Sequence, residues 1–172
     1  MKIVSSVEKL KNRLFTVSED RATEPGGFEI QRFIVHHRGS AVMMPVDGKH
    51  VLLVRQYRLP AERFLWELPA GSVDPGEKPL QTAKRELKEE TGYRAKHWTK
   101  LISFFPSPGF LTEKMTIYLA TGLTAGVATP MGDERIETRW FTAKEIEAAI
   151  DGGEILDAKT MLGYFFWKRG RF

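Results

Sequence analysis

Residues 14–22 and 28–37 alternate apolar and polar side chains on either side of the turn sequence TEPGG. Alternation puts successive side chains on opposite faces of a strand, so these segments predict an antiparallel pair. Residues 40–46 (SAVMMPV) and 50–58 (HVLLVRQYR) are richer in apolar residues and flank the dipeptide Asp47-Gly48. Both positions of that dipeptide tolerate the positive φ of a tight turn, and the apolar runs predict a buried hairpin. A short strand, FLWELPAG, follows and ends at Pro69 and Gly71.

From residue 79 to 91 the apolar spacing becomes helical. Pro79 suits a first helical position, Leu80, Ala83 and Leu87 form one stripe, and Gly92 suits the C-terminal cap. WTKLISFF and MTIYLATGL predict strands joined by the loop PSPGFLTEK; the polar loop TAGVATPMGDER then leads to a strand, IETRWF. Thr142 with Glu145 forms a capping box that opens the helix AKEIEAAI, and DAKTMLGYFFWKR predicts a last amphipathic helix. Strands around a central helix, with further helices at the end, predict an α+β sandwich.

The chain of 172 residues fits one domain, expected to span 1–172. With 42% hydrophobic and 28% charged residues the composition is that of a folded globular protein, not a disordered one. A net charge of +4 and a pI near 9.3 suit an anionic partner. No dense Lys/Arg block accompanies that charge, so a nucleic-acid partner is not expected. The absence of cysteine excludes disulfides, thiolate catalysis and Cys-based zinc sites. No stretch has the length of a signal-peptide core or a membrane span, so no membrane partner and a cytoplasmic location are expected.

KRELKEETGY, residues 84–93, holds the candidate chemistry. Glu86 and Glu90 stack on one helix face beside the apolar stripe, and Glu89 lies one step further toward solvent. Like charges at that spacing cost an isolated helix roughly 0.2–0.5 kcal/mol per pair. Two readings meet that cost: a solvated acidic face, or a divalent cation such as Mg2+ or Mn2+, which prefers hard oxygen ligands beside a phosphate.

The surrounding positions discriminate. Gly71, Glu77 and the run Arg85-Glu86-Leu87-Lys88-Glu89-Glu90-Thr91-Gly92-Tyr93 resemble the Nudix box, G-x5-E-x7-R-E-U-x-E-E-x-G-U, at every fixed position over 23 residues. The one departure is Tyr93, aromatic where U is aliphatic, which concerns packing behind the helix. The resemblance implies a Nudix-type α/β/α sandwich with a mixed central sheet and a metal-dependent hydrolase of nucleoside diphosphate derivatives. It implies Glu86, Glu89, Glu90 and the Ala70 carbonyl as metal ligands, Glu89 acting directly or through water. It gives Gly71, Glu77, Arg85 and Gly92 structural roles, with Glu77 paired to Arg85 across the loop and helix.

Pro108, within SPG fifteen residues past the box, resembles the ADP-ribose pyrophosphatase branch, as do VRQYR and WELPAG before it. That likeness implies hydrolysis of ADP-ribose to AMP and ribose 5-phosphate by a homodimer, with an N-terminal strand extension over 1–35 and a catalytic core over 36–172. Arg58 and Arg55 are candidates for the diphosphate, by charge-assisted contacts, and Glu113 for a ribose hydroxyl. Phe28, Phe33 and Arg32 offer stacking surfaces for adenine. Asp133, Glu134 and Glu137 are candidates for a carboxylate that orients or deprotonates water; the branch favours Glu134, although Gly132 stands where a further Glu is common. Metal and water without a dedicated base is the other possibility. His36 and His37, adjacent on a strand, point to opposite faces and receive no role. Competing functions are another sugar-nucleotide diphosphatase, for instance toward GDP-mannose, and a domain that binds ADP-ribose without cleaving it.

Overall fold

A computed structural model describes residues 1–129 and 135–170, which group into two compact units. The first comprises Met1–Gly39 with Phe104–Met115. Its strands β1 (Lys2–Lys11), β2 (Phe15–Thr23) and β3 (Glu29–His37) form an antiparallel sheet in that order. The β2–β3 pair is the one that alternation predicts. β1 escaped the pattern because register shifts between Ile3 and Ser5 and between Glu8 and Leu10 break its alternation. Asn12 Oδ1 accepts from the Leu14 and Phe15 N–H groups, both at 2.8 Å, and so shapes the β1–β2 turn. Val35 donates to the Phe110 carbonyl at 2.7 Å and accepts from the Thr112 N–H at 2.9 Å, which ties the loop to β3.

The second unit comprises Ser40–Ser103 and Thr116–Phe172. Its sheet is built on β4 (Ser40–Asp47), β5 (His50–Arg58), β8 (Arg94–Phe104), β9 (Met115–Thr124) and β10 (Glu137–Thr142), in the order β10-β5-β4-β9-β8. β6 (Arg63–Glu67) pairs with β5 and β7 (Ala70–Ser72) with β4. Every residue of β4 before Asp47 is buried, as expected of a strand covered on both faces.

The helix α1 (Pro79–Thr91) lays Ala83 and Leu87 on Ala41, Met43 and Ala120, all fully buried. The helix α3 (Ala158–Lys168) brings Gly163 against Ile117, where a Cβ would stand 3.7 Å from Ile117 Cδ1 and 2.6 Å from Leu68 Cδ1. Ile117 and Ala120 are an odd number of positions apart on β9, so α1 and α3 cover opposite faces. The α/β/α sandwich follows. Between them in sequence, α2 (Ala143–Asp151) opens on the Thr142–Glu145 capping box, and its Glu147 accepts from Tyr164 Oη of α3 at 2.8 Å.

Two predicted details differ. The hairpin turn is Gly48-Lys49, with Asp47 already paired to His50 and Gly48 at φ +56°. FLWELPAG is two strands, because Pro69 has no N–H to continue a ladder. Its carbonyl accepts from Met43 at 2.9 Å, and the chain passes from β5 to β4 at that point. No helix among the described residues is long and apolar enough to cross a membrane.

Candidate active site

α1 begins where Lys78 N–H donates to Gln81 Oε1 at 2.8 Å and Pro79 takes the first helical position. It ends at Gly92, whose φ of +77° suits a residue without Cβ and whose N–H returns to the Lys88 carbonyl. With Ala83 and Leu87 facing the sheet, the last turns grade outward: Glu90 is 5% exposed, and the Glu86 and Glu89 side chains are 16% and 33% exposed. Gly71 in β7 stands directly beside Glu86, and a Cβ there would overlap the Glu86 carboxyl. Neighbouring Ala70 pairs with Val42 in β4.

Arg85 organises these carboxylates. Its Nε and Nη2 donate to the two oxygens of Glu77 at 3.1 and 3.0 Å, and its Nη1 reaches Glu86 at 2.6 Å and Glu89 at 3.1 Å. Thr82 Oγ1 adds a bond to Glu77 at 2.8 Å. The Arg85 guanidinium, with help from Thr82 and against partial desolvation, lowers the Glu77 pKa to about 2; the same Glu77 bonds raise that of Arg85. Glu77 thereby ties the loop before α1 to the helix. Among the described residues no three acidic or histidine side chains close around an ion, since Arg85 Nη1 stands between Glu86 and Glu89. The donor set is nevertheless three carboxylates, with the Glu86 carboxyl lying in the space that Gly71 leaves without a Cβ, and hard oxygens of this kind fit Mg2+ or Mn2+.

A second charged cluster lies in the same unit. Glu67, at the end of β6, accepts from Arg58 Nε at 2.7 Å and Nη2 at 2.8 Å, and from Lys159 Nζ at 2.6 Å. Burial raises the Glu67 pKa, but the Arg58 and Lys159 bonds outweigh it and the carboxyl is held below its ordinary value. The Glu67 hydrogen bonds raise the pKa of Arg58, and the charge of Glu90 adds to that effect. Arg58 is therefore oriented by Glu67 and also senses the charge of Glu90. Glu67 lay within the WELPAG sequence, but nothing marked it as a partner of Arg58. Lys159, far along the chain, carried no local signal.

Arg55 reaches Glu137 at 3.4 Å, and its guanidinium stands 4.9 Å from the Phe64 ring centroid and 6.0 Å from that of Trp66. Tyr93, the aromatic departure from the box, packs against the cluster under α1 and meets Trp140 edge-on at 5.7 Å. Five further candidates, Phe28, Arg32, Phe33, Pro108 and Glu113, belong to the first unit. Phe28 and Phe33 are 59% and 60% exposed, and Arg32 Nη1 donates to the Gln31 carbonyl. Pro108 sits in an exposed turn closed by the Leu111 N–H on the Ser107 carbonyl at 3.0 Å. Glu113 Oε1 lies 3.5 Å from His37 Nδ1, and His36 Nε2 lies 2.6 Å from Ser18 Oγ. Gly132, Asp133 and Glu134 lie outside the described residues.

Residues 35–161 match the NUDIX domain. The chain belongs to the Nudix family. It is 40% identical over 139 residues to the ADP-ribose pyrophosphatase of Bacillus subtilis (strain 168), a match covering 79% of this chain and 75% of that one. It is 34% identical over 164 residues to the methanol dehydrogenase activator of Bacillus methanolicus, covering 94% and 89%. A solved structure described as that of an ADP compounds hydrolase superposes with a TM-score of 0.85 over 98% of this chain and 94% of the other, at 23% identity. That likeness carries the Nudix fold.

Proposed function

We propose that this Nudix protein hydrolyses the diphosphate of ADP-ribose, giving AMP and ribose 5-phosphate. The observation that carries the reading is the end of α1, which carries Glu86, Glu89 and Glu90 and where Gly71 of β7 admits the Glu86 carboxyl against the backbone. Relatives named for ADP-ribose support the choice of substrate. The three carboxylates, with the Ala70 carbonyl, would hold Mg2+ or Mn2+. Such a cation supplies charge neutralisation for the diphosphate and activation of water.

The residues themselves do the rest. Arg58, oriented by Glu67 and within reach of the charge of Glu90, is our candidate for the diphosphate, and Arg55 adds a second guanidinium. Pro108 and Glu113 are our candidates for the sugar end, and Phe28 and Arg32 for the adenine. Glu134 remains our candidate for the carboxylate that orients water.

A homodimer belongs to the same proposal, through the strand extension 1–35. The register places Val7, Glu19 and Phe33 in one row across the three strands, with Leu10, Val17 and Val35 in the next row on that side. Val7, Leu10 and Phe33 are 52%, 51% and 60% exposed, apolar area that a second copy would cover. The test of the activity is product analysis on ADP-ribose and GDP-mannose with Mg2+ and Mn2+. Faster turnover of ADP-ribose is expected. Preference for GDP-mannose would make the protein a different sugar-nucleotide diphosphatase, and ADP-ribose binding without cleavage would make it a binding domain.

A further inference from the structure

Residues 125–129, after β9, run against the C-terminal end of α1. The Thr129 N–H donates to the Glu89 carbonyl at 2.9 Å. A Cβ on Gly92 would stand 2.7 Å from the Gly126 carbonyl oxygen and 2.8 Å from the Ala128 nitrogen; a Cβ on Gly126 would stand 2.9 Å from the Gly92 carbonyl oxygen. The two backbones meet through a pair of glycines. Gly92 is already required by its positive φ, but Gly126 is outside the left-handed region, so the close approach is what calls for glycine there.

The last four carbonyls of a helix lack partners within it. At the end of α1, Leu87 O accepts from Thr91 Oγ1 at 2.5 Å and Lys88 O from the Gly92 N–H at 2.9 Å, whereas Glu89 O depends on Thr129. This turn also carries Glu86, Glu89 and Glu90, whose charges oppose one another and the negative end of the helix dipole. Arg85 offsets part of that repulsion through Glu86 and Glu89, but it caps no carbonyl at the helix end, so the turn is still prone to fray. Contact with the 125–129 backbone opposes that fraying.

We infer that Gly126 is a positioning residue for the metal-binding turn: the segment it admits against Gly92 sets where Glu89 and Glu90 stand. The role rests on the reading of those glutamates as ligands. The experiment uses the full chain and two readouts besides turnover, Mn2+ affinity by electron paramagnetic resonance and amide exchange over 87–92. Gly126→Ala should weaken Mn2+ binding roughly tenfold, at the lower end of what outer-shell changes cost. Exchange at the last turn of α1 should rise while the thermal midpoint stays near that of the wild type.

Val127→Ala, a change at a side chain 82% exposed in the same segment, should alter neither readout. Thr129→Pro replaces the donor to Glu89 with a ring carbon that pushes the segment off the Glu89 carbonyl, adds no bulk beside Gly92, should act in the same direction, and decides the matter if Gly126→Ala does not fold. Mn2+ affinity within about twofold of wild type in both folded variants overturns the positioning role. Failure of the wild-type chain to bind Mn2+ overturns the ligand assignment as well, so the two failures are distinguishable.

Discussion

Lys159 Nζ and Glu67 Oε2 meet at 2.6 Å, although the residues lie 92 positions apart. Both side chains are buried, at 7% and 3% exposure, and Asp157 stands 2.9 Å from the same ammonium. One position on, Thr160 Oγ1 accepts from the Leu68 N–H at 2.8 Å. The start of α3 is thus pinned to the end of β6 by directional bonds that an apolar contact would not supply. The same carboxylate orients Arg58, so the placement of α3 bears on Arg58 through Glu67.

Lys159→Met should therefore be strongly destabilising. Removing one member of a buried ion pair costs about 3–5 kcal/mol, because the partner charge is left in low dielectric. Arg58 still bonds Glu67, so we expect the lower end, about 3 kcal/mol, in urea unfolding. Adding Glu67→Gln should recover part of the loss. A Lys159→Met variant as stable as wild type would remove the pin from the account.

Glu77 predicts the pH dependence of apo stability. Its folded pKa of about 2 lies below the ordinary 4.5, so below pH 4.5 the unfolded chain binds more protons at this group. Its contribution is complete above 4.5 and disappears as pH falls toward about 2. Glu77→Gln should be less stable at neutral pH and should show a shallower loss through that window. Equal slopes for the two proteins in chemical denaturation would exclude the Glu77–Arg85 pair as the origin.

Glu86→Gln and Glu90→Gln test the metal ligands. Each should lose more activity than the roughly 10–100-fold typical of outer-shell partners. Without metal, Glu90→Gln should leave the helix at least as stable as in wild type, since a like-charge pair is relieved, whereas Glu86→Gln also gives up its ion pair with Arg85. The stabilisation that Mg2+ gives the wild type in a thermal melt should shrink in both. Wild-type turnover at saturating Mg2+ in either variant would reassign the site.

Glu134→Gln should lower kcat by roughly 10²–10⁴ with little change in substrate affinity, the range of lost acid–base assistance. A fall of less than about fivefold would direct attention to Asp133 or Glu137, or to a reaction without a dedicated base.

Phe33→Glu tests the dimer. The substitution puts a second carboxylate opposite Glu19 and removes apolar area from the exposed row. Sedimentation at micromolar concentration should give twice the chain mass for wild type and the single-chain mass for the variant. A monomeric, fully active wild type would end the proposal.

The sequence by itself determined the local elements and the metal-ligand candidates. The α1 boundaries, the Thr142 cap and the β4–β5 hairpin follow from spacing and turn chemistry within a few residues, because these signals act over one or two turns of chain. Glu86 and Glu90 were legible as a stacked pair for the same reason, since a helix converts spacing directly into a shared face, and the resemblance to the Nudix box is what implied them and Glu89 as ligands. Arg85 was readable as a partner of Glu77, but not as a donor to Glu86 and Glu89 at the same time, since side-chain direction depends on the loop it meets.

Only the tertiary structure decided the rest. β1 hid behind its bulges, and the division of FLWELPAG depended on which neighbour each half could pair with. Glu67 acquired its role from Lys159, and Gly126 from Gly92, through contacts between segments that have no common periodicity. Long-range pairing depends on how the sheet and helices close on one another. No local pattern encodes that closure, because the same Glu, Lys or Gly on an open surface would serve equally well in isolation.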